Sequence, residues 1–410
     1  MSDVPAAQSA HHEPASQVGN TKGAFNTSGV VCQTHVGGQA LIEGVMMRGR
    51  SSWAVAVREP DGGIYTEQHD LASGTSKNRW MHVPVIRGVT AFAESLVLGY
   101  KALSIAGEHA YDFSEEDDAG DKGDGARGGS GTHAAASMVL HALAVPFQAA
   151  LDVEPPAASG PQAPRAASEP QPQPQPAGQP AEKDADEGMP KGLMTLSMVI
   201  GCVLGVVLFV VAPAFVTNLI VGDYLRGALT WNLVDGALRV AIFLAYLALI
   251  ALMPDIKRMF AYHGAEHKTI HCYEHGQELT PANAMRFPRL HVRCGTAFLL
   301  MTMVIAIFVF TVVPVDRLIA AWGVTNSAAM LVLVIFSRII LLPLVAGLAY
   351  EVTVKWAGSH PENRAVQVVL WPGLQLQRLT TNIPDEGMLE CAISAMEQVL
   401  VREGLPLKAA

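Results

Sequence analysis

His263, Glu266 and His267 stand in the stretch Tyr262-His-Gly-Ala-Glu-His-Lys268 at the spacing H-x-x-E-H, which on a helix turns both imidazoles to one side. Two neutral imidazoles can share a cation there while a carboxylate handles the proton of a water, the chemistry of a metal-dependent hydrolase. The pattern is the inverzincin arrangement, a reversed form of the commoner zinc-protease motif. If a helix runs on from Ile256, an advance of about 100° per residue brings His263, His267, His271 and Glu274 into one arc, with Glu266 at its edge. His263 and His267 are then the expected ligands. Glu266 serves as general base or as the group that orients them, and His271 or Glu274 supplies a third ligand. The plain alternative is a solvated amphipathic extension whose imidazoles meet phospholipid headgroups or carboxylates.

Further along, His291-Val-Arg-Cys-Gly295 opens an apolar segment. Folding this loop back brings His291 and Cys294 near His263 and His267, and a Cys/His set closed by four ligands is structural rather than catalytic. The expected cofactor is a divalent metal, zinc by donor type, and both roles stay open. Against ligation stands a plain reading in which Cys294 is a small buried residue and Arg293 an interface anchor. The five cysteines, Cys32, Cys202, Cys272, Cys294 and Cys391, are odd in number and lack a C-x-x-C pair, which points to reduced thiols rather than a disulfide framework. His11 and His12 read as part of a polar tail.

The chain around these residues is that of a membrane protein. Half of it is hydrophobic and only 16% is charged, with a formal net charge of −9. No basic stripe with interleaved aromatics is present, which excludes a nucleic-acid footprint. Leu193 to Val221, Gly236 to Met253, Ala297 to Pro314 and Ser327 to Tyr350 are each about long enough to cross a ~30 Å hydrocarbon core. Lys257, Arg258, Lys268, Arg286, Arg289 and Arg293 crowd the loop between the second and third of these. By the positive-inside rule, that loop and both termini face the cytoplasm. Within the fourth span Arg338 must face the bundle and find a partner, since an arginine in lipid costs about 2.5–3.5 kcal/mol on insertion scales. Asp235 and Asp316 are the candidates. Glu351, at the cytoplasmic end of that span, is a distant candidate for a carboxylate ligand, against a plain helix-end carboxylate.

The fold class expected is mainly α: a polytopic bundle of about four spans with a small N-terminal β-hairpin-plus-helix region and a C-terminal cytoplasmic helix. Residues 1–29 form a polar tail without the apolar core of a signal peptide. Residues 30–111 form a small α+β region. Its hairpin is marked by Asp61-Gly62-Gly63 inside an alternating run from Ala54 to Glu67. Gly37, Gly38, Gly44 and Gly49 suggest tight turns or close backbone approaches, but not the G-x-G-x-x-G or P-loop pattern of a nucleotide cradle. Ile86 to Ala110 reads as a helix with a charged stripe of Arg87, Glu94, Lys101 and Glu108. It is expected to pack on the sheet or lie at the membrane interface rather than to span. Residues 112–190 are a Pro/Gly/acidic linker of disordered composition, with a short helical island at Ala134 to Leu151. Residues 191–355 hold the four spans and the His/Glu/Cys loop 254–296. Residues 356–410 end in an amphipathic helix, Glu386 to Arg402, capped by Asp385.

Gly37 to Gly49, Tyr262 to Lys268, Cys272-Tyr-Glu274, Arg293-Cys-Gly295 and Pro372-Gly-Leu-Gln-Leu-Gln-Arg-Leu-Thr-Thr381, taken in order, resemble the YqhQ-like family of bacterial multi-pass membrane proteins (domain of unknown function 1385). The resemblance covers roughly residues 30–110 and 193–402. It implies a metal-dependent enzyme of the bacterial inner membrane without an established substrate. It also implies site positions at Glu43, His263, Glu266, His267, Glu274, Arg293 and Cys294, with Glu43 joining Glu266 as a candidate catalytic carboxylate. His271 is not a fixed part of that pattern, and the long linker departs from shorter relatives. The leading expectation is therefore a cytoplasm-facing metal-dependent hydrolase. Its partners are membrane lipids, a lipid-linked substrate or other membrane proteins. The alternative is a non-enzymatic scaffold or assembly factor with a structural His/Cys site. A transporter built on Arg338 and a fourth span broken at Pro343 ranks third, since four spans without a repeat fit that role only in an oligomer.

Overall fold

The structure, a computed structural model, describes residues 30–71 apart from 33, 83–110, and 191–408 apart from 223, 225, 226, 293, 358, 359, 361 and 362. The tail, the linker with its island, and Arg293 lie outside the described residues.

Four strands, β1 (Gly37–Leu41), β2 (Gly44–Arg48), β3 (Ser52–Arg58) and β4 (Ile64–Asp70), pair antiparallel in the order β1-β2-β3-β4. The expected hairpin at Asp61-Gly62-Gly63 joins β3 to β4, with Gly62 at φ 90°. A second hairpin, unread in the sequence, joins β1 to β2 through Ile42 and Glu43, where Leu41 faces Gly44. Its turn places Glu43 in the left-handed region at φ 50°, an uncommon conformation for a residue with a Cβ.

The period-2 alternation of β3 explains what covers the sheet. Trp53, Val55 and Val57, with Leu41 and Met46, meet Leu98, Ala102 and Ala106 of α1 (Ile86–Ala110). Ala54 and Ala56, with Ala40, Val45 and Met47, point the other way into the largest core. Both faces of β1 to β3 are thus buried, and these strands carry few polar residues, whereas the edge strand β4 is polar and partly exposed.

The membrane part follows: α2 (Lys191–Val206), a π-helical turn at Val207–Val211, α3 (Ala212–Val221) and α4 (Ala228–Ile250). Next comes α5 (Pro254–Glu274), which carries the histidines, and α6 (Pro281–Met285). Then α7 (Gly295–Val312), α8 (Val315–Ala321) and α9 (Ser327–Tyr350) lead through a π-helical turn at Glu351–Ala357 to α10 (Arg364–Thr380) and α11 (Glu386–Arg402). Among the described residues, five stretches are long and apolar enough to cross a membrane: Ile86–Ala110, Val199–Val221, Ala228–Ile250, Phe298–Ala321 and Ser327–Ala357.

One boundary departs from the sequence reading. The second span begins at Ala228 rather than Gly236, because Asn232 and Asp235, which look like a break in hydropathy, are buried and partnered inside the bundle. Helix α10 runs through Trp371-Pro372-Gly373. The proline ring removes one backbone bond on the exposed side of the helix, while the opposite side buries Val366, Leu370, Leu374 and Leu376, enough to offset the loss. The C-terminal helix stands where the sequence puts it, and the Asp385 carboxylate accepts from the Met388 N–H at 2.8 Å.

Candidate metal centre

Helix α5 is polar by composition and buried nonetheless. Seventeen of its residues, from Ile256 to Glu274, are buried, so the histidine helix is not the solvated extension that its polarity allows. The sheet packs on one side through β1, α11 on another, and the loop after α6 folds back over the remainder.

That loop is pinned by hydrogen bonds from the helix. The Lys268 ammonium donates to the carbonyls of Met285 and Phe287 at 2.7 and 2.6 Å. His267 Nδ1 meets Arg289 O at 2.6 Å, and His271 Nε2 meets Leu290 O at 3.0 Å. From the other direction, Gln377 of α10 accepts from the His291 N–H and donates to the His291 carbonyl, at 2.9 and 2.8 Å. The backbone of His291 is thereby fixed on both sides.

These constraints bring the sequence-predicted ligands together, but in two groups rather than one. His263, His267 and Cys294 form the first, and His271, Glu274 and His291 the second; within each, one ligand atom per residue lies within 4.8 Å of the others. In the first, His263 Nε2 is 3.2 Å from Cys294 Sγ, while His263 Nδ1 meets Thr380 O at 2.8 Å. A backbone carbonyl accepts only from N–H, so Nδ1 carries the proton in His263 and His267, and both Nε2 lone pairs are free for a cation. In the second, the same logic protonates His271 Nε2 and frees Nδ1. Glu274 Oε2 lies 3.6 Å from His291 Nε2, and Glu274 Oε1 accepts from the Thr34 N–H at 2.9 Å. The rings of His267 and His291 are 5.7 Å apart, so the groups are neighbours.

Burial also sets the charge. It pulls His263 down to about 4 and His271 to about 3. His267 falls well below the ordinary imidazole range, with repulsion from His263 and His291 adding to burial. All three are neutral near pH 7, the form that binds metal.

The remaining predicted residues that the structure describes lie outside both groups. Glu266 faces the sheet: a Cβ added to Gly38 would sit 2.8 Å from Glu266 Cγ, so glycine is needed there for the close approach that the sequence suggested. Burial, partly offset by the Gly38 N–H, pushes the Glu266 carboxyl up to about 8. Its Oε2 is buried with no hydrogen-bond partner among the described residues. Glu43 grips Arg258 and accepts from the Tyr262 hydroxyl at 3.2 Å, which docks the β1–β2 turn on α5. Glu351 is taken up by Arg87 and the Val85 N–H, so it is a helix-to-helix tie rather than a third ligand, because its helix ends beside the start of α1. Arg338 finds Asp235, of the two candidates, together with Asn232.

Sequence reasoning missed the groups that hold the ligands in place, Thr380 and Gln377, because nothing in an isolated stretch marks a backbone carbonyl or a lone amide as a partner. It also missed Arg239, although the spacing Asp235-x-x-x-Arg239 is a helical ion-pair signal.

Gly264, inside the H-x-x-E-H stretch, gives a direct test of this packing. A Cβ there would lie 2.0 Å from Asn382 O, a backbone atom that yields only if residues 380–384 move, and Thr380 in that segment orients His263. Gly264→Ala is expected to destabilise the chain by at least about 1–3 kcal/mol and to weaken metal binding about 10–100-fold. Thermal unfolding in detergent and metal titration check this, and an unchanged midpoint would refute the tight contact.

A family described as "Protein of unknown function (DUF1385)" matches residues 83–402, which include both histidine groups and leave the sheet outside. The "Uncharacterized protein YqhQ" of Bacillus subtilis (strain 168) is 27% identical over 373 residues, 90% of this chain and 93% of that protein. No solved structure matches.

Proposed function

The chain belongs to the DUF1385 family of unknown function, and on that premise we propose that it is a membrane-bound metal-dependent hydrolase whose ion is held by His263, His267 and Cys294. The observation that carries this reading is the orientation of the two histidines. Each gives its Nδ1 proton to a backbone carbonyl and keeps Nε2 for the side on which Cys294 Sγ lies. Three protein ligands of N and S type suit zinc and leave a fourth position open, the arrangement of catalytic rather than closed sites. When bound, such an ion supplies Lewis-acid polarisation of a substrate oxygen. Glu266 keeps the proton-handling role by its place in the motif and its unpartnered Oε2, on the sheet side of α5; raised to about 8, its carboxyl is mainly protonated near pH 7 and accepts a proton only once ionised. His271, Glu274 and His291 offer a second donor set for the same class of ion.

In this reading the site faces the cytoplasm and takes a lipid, a lipid-linked molecule or a membrane peptide. The sheet, α5 and α11 share one core, so they sit on one side of the membrane. Four crossings, through α2–α3, α4, α7–α8 and α9, return the chain to that side. Helix α1, whose second half lies on the sheet, then runs along the interface instead of making a fifth crossing.

A second reading, a non-enzymatic scaffold with structural metal, is favoured by the depth of the ligands, since His267 is 1% exposed. Metal analysis of the detergent-purified chain beside Glu266→Gln separates the two. The wild type is expected to hold at least one ion per chain, and its absence would end both metal readings. Glu266→Gln is expected to keep the ion and fail to complement a deletion of the gene, whereas full complementation would favour the scaffold.

A further inference from the structure

A second polar cluster lies in the membrane bundle, away from the histidine helix. Asn232, Asp235 and Arg239 project from α4 and Arg338 from α9, with exposures of 3%, 1%, 5% and 2%. Arg239 Nη2 donates to Asp235 Oδ2 at 3.1 Å, and Arg338 donates to the same oxygen and, at 2.8 Å, to Asn232 Oδ1. Both guanidinia also face the Phe310 ring of α7, at 5.3 and 4.7 Å from its centroid, and Arg338 lies 4.8 Å from the Trp231 ring.

Two permanent cations therefore converge on one carboxylate, leaving one positive charge inside an apolar bundle. Two donors and one acceptor are also open. Arg239 Nε, the Trp231 indole Nε1 and Asp235 Oδ1 are buried without a hydrogen-bond partner among the described residues. Face-on contact with Phe310 and Trp231 offsets part of the charge. It does not satisfy in-plane N–H groups, and a buried guanidinium needs both a counter-charge and acceptors.

We infer that this cluster is a binding site for a phosphate oxyanion, either free phosphate or the phosphate of a lipid headgroup. The open Arg239 Nε and Trp231 Nε1 donors, beside two guanidinia that share one carboxylate, offer N–H groups and net positive charge to the oxygens of a phosphate. The location fits the membrane source. Asp235 is the eighth residue of α4, about 10 Å in from its start, and Phe310 lies two residues before the end of α7. Arg239 and Arg338 are each the twelfth residue of α4 and α9, at mid-helix, so the cluster runs from the half of the bundle opposite α5 to its middle, and a headgroup would be drawn in from that leaflet. Nothing in this inference depends on metal at the histidine groups.

The test uses the full chain purified in detergent, with thermal unfolding followed against inorganic phosphate at constant ionic strength. A parallel titration uses phosphatidic acid beside diacylglycerol of the same acyl chains, which lacks only the phosphate. A midpoint that rises with phosphate assigns the site to the free ion. A rise with phosphatidic acid but not with diacylglycerol assigns it to the headgroup. In either case Arg239→Gln is expected to lower the apparent affinity at least tenfold. Arg239→Lys, which keeps the charge and loses the fork, is expected to fall between and guards against a folding defect in the first variant. No response of the wild type to either probe, or an equal response in both variants, would overturn the proposal.

Discussion

His267→Ala is expected to lower metal affinity by at least about a hundredfold, more than the 10–100-fold that follows loss of a group which merely orients a ligand. His267 is placed to do more than any other residue of the centre. Its Nε2 belongs to the group with His263 and Cys294, its Nδ1 holds the returning loop through Arg289 O, and its ring neighbours His291 of the second group. Alanine removes a ligand and leaves a buried carbonyl without its donor, so stability should fall too. An ion present at about a hundred times its dissociation constant stabilises the folded state by about 2.7 kcal/mol. Chelation should therefore move the wild-type unfolding midpoint toward that of the variant, and adding zinc back should restore only the wild type. Metal titration and thermal unfolding, with exposed His360→Ala as control, provide the measurement. Equal zinc affinity in His267→Ala and wild type would remove His267 from the centre.

The second large effect lies in the bundle. Asp235→Asn changes the side chain little in size and removes the only carboxylate that pairs with Arg239 and Arg338 among the described residues. Breaking a buried ion pair by neutralising one partner typically costs about 3–5 kcal/mol, and here two guanidinia lose their counter-charge together. The variant should unfold at a clearly lower temperature in detergent and accumulate poorly in membranes. The matching control neutralises everything at once. Asp235→Leu, Arg239→Leu and Arg338→Met combined should recover much of the lost stability, because apolar replacements of a whole buried charge set are often neutral or better. Failure of the triple variant to exceed Asp235→Asn would show that the cluster stabilises the bundle through shape rather than charge.

Much of this arrangement is legible in the residues. The spacing of His263 and His267 sets them on one side of α5, because helical geometry is local. The apolar stretches announce the membrane helices, since a 20-residue run of hydrophobic side chains has few other uses. Asp61-Gly62-Gly63 fixes a hairpin and Asp385 a helix start for similarly local reasons. The return of His291 and Cys294 to the histidine helix could be anticipated as a possibility of the loop.

Other features depend on distant partners. The second span looks to begin eight residues later than it does, because Asn232 and Asp235 interrupt a hydropathy that their pairing with Arg338 makes harmless. Glu351 looks like a free carboxylate until Arg87, far away in the chain, takes it. Glu43 and Glu266 look alike as acids near a motif, yet one docks a turn on Arg258 and the other is pressed against Gly38.

By itself, then, the sequence determined a helical membrane protein with a small sheet, and a helix bearing paired histidines at metal-ligand spacing. Those properties rest on periodicity, length and side-chain type, each a local quantity. Only the tertiary structure decided that five candidate ligands divide into two groups of three with His271. It also decided which ring nitrogens are free, and that a cationic cluster lies within the bundle, away from α5. These follow from where Thr380, Arg289, Leu290 and Gln377 place a carbonyl or an amide, and such backbone positions are set by the packing of the whole chain.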